Sequence, residues 1–449
     1  MSHRLFGTDG VRGRAGDYPL DHDTVARLGA ALVRAMTAGG AAARPLRFIV
    51  GRDTRESGEW IERELARGVH SAGGEITTAG VIPTPAVAYV TRAMGFDAGL
   101  VISASHNPFE DNGIKVFSGK GEKFTEALER EVEAIVHDAG WQVSGSADAP
   151  VERTEVIDAY IDHALRALPE PHRLGAFRLA IDTANGATTT VAPKLFAQLG
   201  FDVIVTGASP DGRNINLDCG STHPESLART VREQGCRMGV AFDGDGDRAI
   251  FVDAAGKIVD GDAVLLMCGR HWKAGGRLQG NAIAATVMSN IGLEIALRES
   301  GIELVRCAVG DKYVMEEMVR RGLSIGGEQS GHIIFSDHLF TGDGIATALS
   351  VLRVMAETGR ELADLAGELV TYPQVLVNVR VRERKELASV PAIAAEMARV
   401  EQQLHGAGRL LVRYSGTEPL VRVMIEGKDQ QEIHGWASSI AATVKEHLG

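Results

Sequence analysis

Three aspartates alternate with glycines in VAFDGDGDRAIFVD, directly after an apolar run. Side chains two residues apart share one side of an extended chain, so Asp243, Asp245 and Asp247 face the same way. A straight strand would separate the outer two by about 13 Å, but Gly244 and Gly246 permit the backbone angles that curl the chain until the carboxylates converge. Converging carboxylates repel one another, and a hard divalent cation relieves that repulsion. The spacing predicts a cation site.

The ligand chemistry narrows the choice of ion. A site with only oxygen ligands favours Mg²⁺, one per chain, and Mg²⁺ usually also binds a phosphate oxygen. An EF-hand is excluded, because Arg248 and Ala254 stand where its sixth-position glycine and twelfth-position glutamate belong. An acidic turn beside a strand is the ordinary alternative.

A second candidate site is the loop in VRYSGTEPLVRVMIEG, between two alternating segments. Arg413 and Arg422 offer guanidinium groups, Ser415 and Thr417 offer hydroxyls, and Gly416 frees backbone amides. This donor set suits a phosphate dianion. A hairpin with arginines on its solvent face is equally compatible with the segment alone.

Further polar residues lie in glycine-rich segments. In IGGEQSGHIIF, Glu328, Ser330 and His332 stand at alternate positions and would present acceptors and donors to vicinal sugar hydroxyls, with a polar strand edge as the alternative.

Cations also lie in glycine-rich segments of this acidic chain. Arg12 lies in FGTDGVRG, Lys115 follows Ser105 by ten residues, and Lys312 lies in VGDKY. Together they suggest local focusing of an anionic ligand, although each alone is compatible with solvated surface. Ser105 itself, in VISASHNPFEDNGIK, has the neighbours of any surface turn, so that stretch alone does not assign it chemistry.

Composition bounds the class of protein. The 449 residues carry 44% hydrophobic and 24% charged residues, with Lys+Arg 47 against Asp+Glu 59 for a net charge of −12. A chain this acidic has no global basic field for nucleic acid or acidic lipid. Its four cysteines form no CxxC pair, which fits a reducing compartment. With no signal peptide and no apolar run that would span a membrane, the prediction is a soluble cytoplasmic protein.

The elements that must position these residues alternate between strand-like and helix-like segments, which predicts α/β units with largely parallel strands. A small-residue stretch over 140–152 reads as a linker. From about Tyr372 the pattern changes to strict alternation, typical of antiparallel strands. We predict three similar α/β domains and a smaller C-terminal α+β domain, at 1–150, 151–253, 254–370 and 371–449.

In chain order, FGTDGVRG, SASHNPFEDNGIK, DGDGDR, GGEQSGH and RYSGTEP resemble the α-D-phosphohexomutases over essentially the whole chain. FGTDGVRG and GGEQSGH are most similar to members that act on glucosamine phosphates. The resemblance implies four domains around a central cleft, each contributing one loop, and a C-terminal domain that moves to close it. One departure is Lys312, where the family pattern has arginine, so the bidentate phosphate contact is lost.

The resemblance also assigns roles. Ser105 is similar to the family's phosphoserine, with Ser103 as its structural neighbour, and the metal held by the three aspartates would bind its phosphoryl oxygen. Lys115 resembles a proton-transfer residue, with His106 and His332 as alternatives. Arg12 and Arg248 would stabilise charge around the serine phosphate.

The implied reaction interconverts glucosamine 6-phosphate and glucosamine 1-phosphate through glucosamine 1,6-bisphosphate, which is both intermediate and activator. The partners are small sugar phosphates, and neither nucleic acid nor membrane is expected. The source of the first phosphoryl group, a kinase or a bisphosphate donor, stays open, as does a homodimer. The rivals are a phosphomannomutase/phosphoglucomutase, an aspartate-nucleophile phosphatase and a non-catalytic sugar-phosphate-binding protein.

Overall fold

The fold is taken from a computed structural model, which describes residues 4–7, 9–38, 44–146, 151–415 and 419–449. The chain divides into two compact units, the first comprising Met1–Met288 and Ile302–Gly367, the second Ser289–Gly301 and Glu368–Gly449. Among the helices of the described residues, none combines the length and hydrophobicity needed to cross a bilayer.

The first sheet has the strand order β1-β2-β6-β5-β3-β4-β7. Its strands are β1 Phe6–Gly7, β2 Gly10–Arg14, β3 Arg47–Arg52, β4 Glu75–Val81, β5 Ala98–Ile102, β6 Asp111–Ser118 and β7 Glu152–Arg153. The helices along this stretch are α1 His22–Thr37, α2 Gly58–Ser71, α3 Thr84–Ala93 and α4 Glu126–His137. Strands β3, β4, β5 and β7 pair in parallel, and β6, β2 and β1 add antiparallel pairs.

The second sheet has the order β12-β11-β10-β8-β9. Its strands are β8 Arg178–Asp182, β9 Asp202–Thr206, β10 Met238–Phe242, β11 Ala249–Asp253 and β12 Ile258–Val259. The helices along this stretch are α5 Ile157–Ala164, α6 Ala192–Gln198 and α7 Glu225–Gln234. Strands β8, β9 and β10 are parallel, while β11 and β12 are antiparallel additions.

The third sheet has the order β14-β13-β15-β16, with only β16 antiparallel to its neighbour. Its strands are β13 Ala282–Thr286, β14 Glu303–Cys307, β15 Ile325–Gly327 and β16 Ile333–Phe335. The helices along residues 261–366 are α8 Gly261–Ala274, α9 Ile291–Glu299, α10 Asp311–Arg321, α11 Gly344–Thr358 and α12 Leu362–Ala366.

The second unit holds an antiparallel sheet of order β17-β19-β18 with its own apolar core. Its strands are β17 Gln374–Arg380, β18 Arg409–Tyr414 and β19 Leu420–Glu426, and its helices after α9 are α13 Pro391–Leu404 and α14 Gln430–Leu448. Three sheets with parallel strands and intervening helices, followed by one smaller antiparallel sheet with its own helices, confirm the predicted α/β fold class with a smaller α+β C-terminal part.

The strands that lead into the candidate site are fully buried runs. Every residue of β5 and β10 is buried, as expected for parallel strands covered on both faces. The serine loop follows β5, the aspartate loop follows β10, and the GGEQSGH segment begins on β15. Loops beyond the carboxyl ends of such strands are where α/β proteins place their binding groups.

Candidate active site

Ser105 is buried two residues beyond the serine that anchors its loop. Its exposed fraction is 1%, and its Oγ donates to Asp243 Oδ2 at 2.5 Å. The Ser105 amide donates to Ser103 Oγ at 2.9 Å, and that hydroxyl donates to Asp53 Oδ2 at 2.6 Å. The hydroxyl of Ser105 therefore points into the aspartate loop, 138 residues along the chain.

The aspartate loop brings its three carboxylates together, as the alternating spacing predicts. Asp243, Asp245 and Asp247 are all buried and offer one oxygen each within 4.8 Å of one another. Gly246 has the left-handed φ of 74° that turns the chain. Gly244 serves a different purpose from the one predicted. It has no positive φ, but a Cβ there would lie 2.6 Å from the carbonyl oxygen of Ser105.

The electrostatics of the three carboxylates fit a cation. Burial, and then the charges of Asp247 and Asp245, raise the pKa of Asp243 well above its ordinary value. Asp245 Oδ1 is buried without a hydrogen-bond partner in the described structure. A buried carboxylate oxygen with no donor is costly, and a divalent cation with oxygen ligands is the group that suits it.

Lys115 supplies a compensating charge beside the aspartates. Its buried Nζ lies 2.9 Å from Asp245 Oδ2, 3.0 Å from Asp247 Oδ2 and 3.2 Å from Asp9 Oδ2. Burial by itself lowers the pKa of Lys115, but these three carboxylates outweigh it and raise the pKa well above its usual value. Lys115 is therefore a charged donor in this arrangement.

His106 lies beside the serine, and two arginines lie close enough to His106 to affect its charge. His106 Nδ1 lies 3.3 Å from Ser105 Oγ, and burial, followed by Arg248 and Arg12, lowers the pKa of His106 to about 4. The backbone amide of Arg248 donates to Asp243 Oδ1 at 3.1 Å, and the Arg12 guanidinium contacts Asp9. The His106 ring is thus within reach of the Ser105 hydroxyl, in surroundings that disfavour its charged form.

The GGEQSGH segment separates its three predicted sugar ligands. Ser330 is exposed, Glu328 is half-buried, and His332 is buried with its Nδ1 3.5 Å from Asp247 Oδ1. His332 Nε2 accepts from the Gly342 amide at 3.1 Å. The turn between β15 and β16 passes through Gly331, whose φ is 91°. The chain is therefore not extended here, and Glu328, Ser330 and His332 do not share one face as alternate residues of a strand would.

Lys312, which the sequence predicts as a contact for an anionic ligand, pairs with two glutamates of α4 in the structure. Its Nζ is buried and lies 3.4 Å from Glu129 Oε2 and 3.6 Å from Glu126 Oε1. Its neighbour Asp311 contacts Lys123. The VGDKY segment is thus joined to α4 and its surroundings by ion pairs.

In the second unit, Arg413 on β18 and Arg422 on β19 are directly opposed in register. Side chains at such a directly opposed pair lie on one face of the sheet, so the two guanidinium groups are close together. Ser415 is buried, and its amide donates to the Leu420 carbonyl at 2.8 Å, closing the hairpin. Gly416 and Thr417 lie outside the described residues.

Sequence reasoning missed the side chains that support the serine loop. Arg55 is fully buried, pairs with Asp53 at 2.9 Å and donates to the Ser105 carbonyl at 2.9 Å. Asn216 donates to the same carbonyl at 2.9 Å. The available signal was a charged segment, GRDTRESG, at the end of an apolar strand, where buried polar residues are typical of a site.

Comparison with known proteins places the chain in a family. Four phosphoglucomutase/phosphomannomutase domains match: alpha/beta/alpha domains I, II and III at residues 3–142, 158–256 and 260–372, and the C-terminal domain at 376–443. The chain therefore belongs to the phosphoglucomutase/phosphomannomutase family, the α-D-phosphohexomutases.

Full-length relatives narrow the class further. The chain is 49% identical to the phosphoglucosamine mutase of Solibacter usitatus, with 100% of each chain covered. It is 45% identical to that of Syntrophotalea carbinolica, covering 100% of this chain and 99% of the relative. The predicted resemblance to the glucosamine-phosphate branch is confirmed, and so is the enzyme class, an isomerase that transfers phosphate intramolecularly.

Solved structures share the fold. A phosphoglucomutase/phosphomannomutase family protein from Burkholderia thailandensis superimposes with a TM-score of 0.80 at 24% identity, covering 100% of this chain and 99% of the other. Aspergillus fumigatus N-acetylphosphoglucosamine mutase in complex with GlcNAc-6P and magnesium gives a TM-score of 0.66 at 17% identity, covering 99% and 96%.

Proposed function

We propose that the chain interconverts glucosamine 6-phosphate and glucosamine 1-phosphate through a phosphoserine at Ser105, supplying amino-sugar nucleotide and cell-wall precursor synthesis. The observation that carries the proposal is the 2.5 Å contact from Ser105 Oγ to Asp243 within the group of three carboxylates. The substrate follows from the full-length relatives, which are phosphoglucosamine mutases.

The reaction consists of two phosphoryl transfers that balance. In the first, the C1 oxygen of glucosamine 6-phosphate bonds to phosphorus, the P–Oγ bond of phosphorylated Ser105 breaks, and the C1 hydroxyl proton ends on Oγ. The glucosamine 1,6-bisphosphate formed turns end for end without leaving. In the second, Oγ takes the C6 phosphoryl group, and the proton passes to the C6 oxygen of the departing glucosamine 1-phosphate.

Proton transfer at Oγ falls to the side chains beside it. His106 Nδ1 lies 3.3 Å from Ser105 Oγ, which places this imidazole within reach of the transferred proton. Lys115 is held as an ammonium by carboxylates, which suits it to donate a proton or to stabilise negative charge. Arg12 and Arg248 add positive charge around the serine phosphate.

Asp243, Asp245 and Asp247 would hold Mg²⁺ together with a phosphoryl oxygen on Ser105. Bound there, the ion would neutralise charge on the transferring phosphoryl group, which is the main help that this chemistry requires. The buried, partnerless Asp245 Oδ1 supports this assignment. The Aspergillus fumigatus relative, whose structure contains magnesium, supports it by analogy.

Substrate recognition is divided between two further loops. Arg413, Ser415 and Arg422, with Gly416 and Thr417, hold the phosphate that is not reacting, because paired guanidinium groups beside hydroxyls suit a phosphate dianion. Glu328 and Ser330 hold the ring hydroxyls. His332 and Lys312 complete the substrate ligands of this proposal, and their contacts with Asp247 and Glu129 hold the two side chains in place.

The remaining features of the proposal concern organisation and location. The working domains are 1–150, 151–253, 254–370 and 371–449, each contributing one of these loops. A cytoplasmic location is supported by four unpaired cysteines, which suit a reducing compartment. A kinase or a bisphosphate sugar supplies the first phosphoryl group.

The test combines intact mass, phosphopeptide mapping and a coupled glucosamine 6-phosphate assay. We expect one phosphate on Ser105 in purified protein, lost with nearly all turnover in Ser105→Ala, and no change in Ser118→Ala, a serine of the same sheet outside the site. Wild-type turnover in Ser105→Ala would refute the phosphoserine. Release of inorganic phosphate in place of isomerisation would favour an aspartate-nucleophile phosphatase.

Substrate choice is tested by steady-state kinetics with glucosamine, glucose and mannose phosphates, each with its matching 1,6-bisphosphate. We expect the highest kcat/KM for glucosamine phosphates, because a site that pairs a polar substituent strongly rejects analogues lacking it. A preference for glucose or mannose phosphates would overturn the substrate while leaving the mutase mechanism standing.

A further inference from the structure

Ser105 is held in a backbone conformation that a serine does not adopt freely. Its φ is 53°, in the left-handed region that favours glycine. Such a conformation is strained for a residue with a Cβ and persists only where the surrounding structure imposes it. The contacts that impose it therefore also determine where the Ser105 hydroxyl points.

Two buried side chains from different segments of the first unit donate hydrogen bonds to the carbonyl oxygen of Ser105. Arg55 Nη2, on the segment after β3, donates to it at 2.9 Å. Asn216 Nδ2, on the loop between β9 and α7, donates to it at 2.9 Å. Both also donate to the Asn107 carbonyl, at 2.9 and 3.2 Å respectively. The serine loop is thus clamped by its backbone oxygens.

The two donors differ in origin. Arg55 follows β3 of the first sheet, from which the serine loop also emerges, and is fixed by Asp53. Asn216 lies in the loop after β9 of the second sheet, 111 residues along the chain from Ser105, and is itself left-handed at φ 60° with an exposed fraction of 7%. The backbone amide of Asn216 donates to the Ala184 carbonyl at 2.9 Å. Asn216 therefore fastens the serine loop to the part of the chain that carries the aspartates.

We infer that Asn216 is a positioning residue for phosphoryl transfer, acting through the Ser105 carbonyl to aim Oγ at Asp243. The aspartate loop presses on the same carbonyl, since a Cβ on Gly244 would lie 2.6 Å from it. The segment after β3, the loop between β9 and α7 and the aspartate loop thus all meet at the Ser105 carbonyl oxygen. Through its side-chain amide, Asn216 holds the serine loop at the place where the aspartate loop touches it. The inference rests on Ser105 being the phosphorylated residue.

The test separates the side-chain amide from the backbone conformation. Asn216→Gly removes the amide but accepts φ 60° without strain. Asn216→Asp keeps the shape of the side chain but replaces the donating Nδ2 with a carboxylate oxygen, which would face the carbonyl oxygens of Ser105 and Asn107. Asn214→Ala is the matched control, because Asn214 lies in the same loop and donates to the Ser209 carbonyl, away from the serine.

The readouts are kcat, KM and phosphoserine content by intact mass, with rates normalised to folded protein by circular dichroism. We expect kcat to fall about 10- to 100-fold in Asn216→Gly, since small misplacements of reacting groups have effects of this size. The fall should be larger in Asn216→Asp, with KM changed less than about twofold, because no substrate contact is lost. Asn214→Ala should match the wild type.

Several results would overturn the inference. They are wild-type kcat in Asn216→Gly, an effect confined to KM, or an equal loss in Asn214→Ala. Should Asn216→Asp fail to fold, the glycine variant decides alone. Wild-type protein that never carries phosphate on Ser105 would instead defeat the proposed function, and the mass measurement detects that case separately.

Discussion

A single methyl group on Gly244 should disrupt the site, because the aspartate loop and the serine loop touch there. An alanine Cβ would lie 2.6 Å from the Ser105 carbonyl oxygen, 2.8 Å from Ile215 Cδ1 and 2.9 Å from Asn216 Nδ2. Ordinary contact begins at 3.4 Å, so the carbonyl must move by about 0.8 Å. It does not move cheaply, because Arg55 and Asn216 hold it.

The expected result of Gly244→Ala is a loss of both rate and stability. Overpacking of this kind costs about 1–3 kcal/mol of folding free energy. A displacement approaching 1 Å between Ser105 and Asp243 should lower kcat by up to about 100-fold. The apparent affinity for Mg²⁺, read from the rate as the ion is titrated, should fall with it, because the proposed site would hold the ion between the serine phosphate and the aspartates.

The control for this experiment is Gly435→Ala. Gly435 lies within α14, and nothing stands within 4 Å of an added Cβ. Alanine there should leave kcat unchanged and stabilise the helix by up to about 1 kcal/mol. Wild-type kcat together with wild-type stability in Gly244→Ala would show that the two loops are not in the tight contact described, and the reasoning would fail.

Three further predictions follow from the other parts of the site and the core. Asp245→Asn should cut kcat by orders of magnitude and weaken Mg²⁺ dependence; full wild-type activity after exhaustive chelation would contradict the metal assignment. Arg422→Ala should raise KM about 10- to 100-fold, the equivalent of a charge-assisted contact of about 1.5–3 kcal/mol, with the exposed Arg399→Ala as control; an unchanged KM would remove that loop from substrate binding. His163 stacks on Tyr89, and burial, then His338 and nearby arginines, lower the pKa of His163 to about 4. The folded protein binds fewer protons at His163 than the unfolded chain does. The stability that the neutral imidazole contributes is therefore fully present above about pH 6.5 and is lost as pH falls towards about 4. The loss is at most about 3 kcal/mol, and solvent screening makes it smaller. His163→Phe should therefore flatten the fall of the urea midpoint between pH 7 and pH 4.5; an unchanged slope would refute this.

The buried charges of the site explain why these effects should be large. Asp245 accepts from Lys115 Nζ at 2.9 Å and from Thr84 Oγ1 at 2.6 Å, and all three side chains are buried. Replacing the carboxylate with an amide leaves a buried ammonium with one partner fewer, which is strongly unfavourable. A control that preserves folding is therefore required, and chelation of the wild type supplies it without a substitution.

The spacing of residues along the sequence is enough to predict much of the site. The aspartates at alternate positions predict a converging triad, because side-chain direction along an extended segment repeats every two residues. The alternation of strand-like and helix-like segments predicts three α/β domains, and the strict alternation after Tyr372 predicts an antiparallel sheet. Each of these properties depends only on neighbours in the chain, so the sequence alone is enough to infer it.

Only the tertiary structure decided the contacts between distant segments. The sequence does not reveal that Asn216 and Arg55 bind one carbonyl, that His332 faces Asp247, or that Lys312 pairs with Glu129. The same is true of Gly244, whose requirement comes from the Ser105 carbonyl and not from its own backbone angles. These contacts join residues 50 to 183 positions apart, and which atoms meet at such separations depends on how the strands pair and the loops pack.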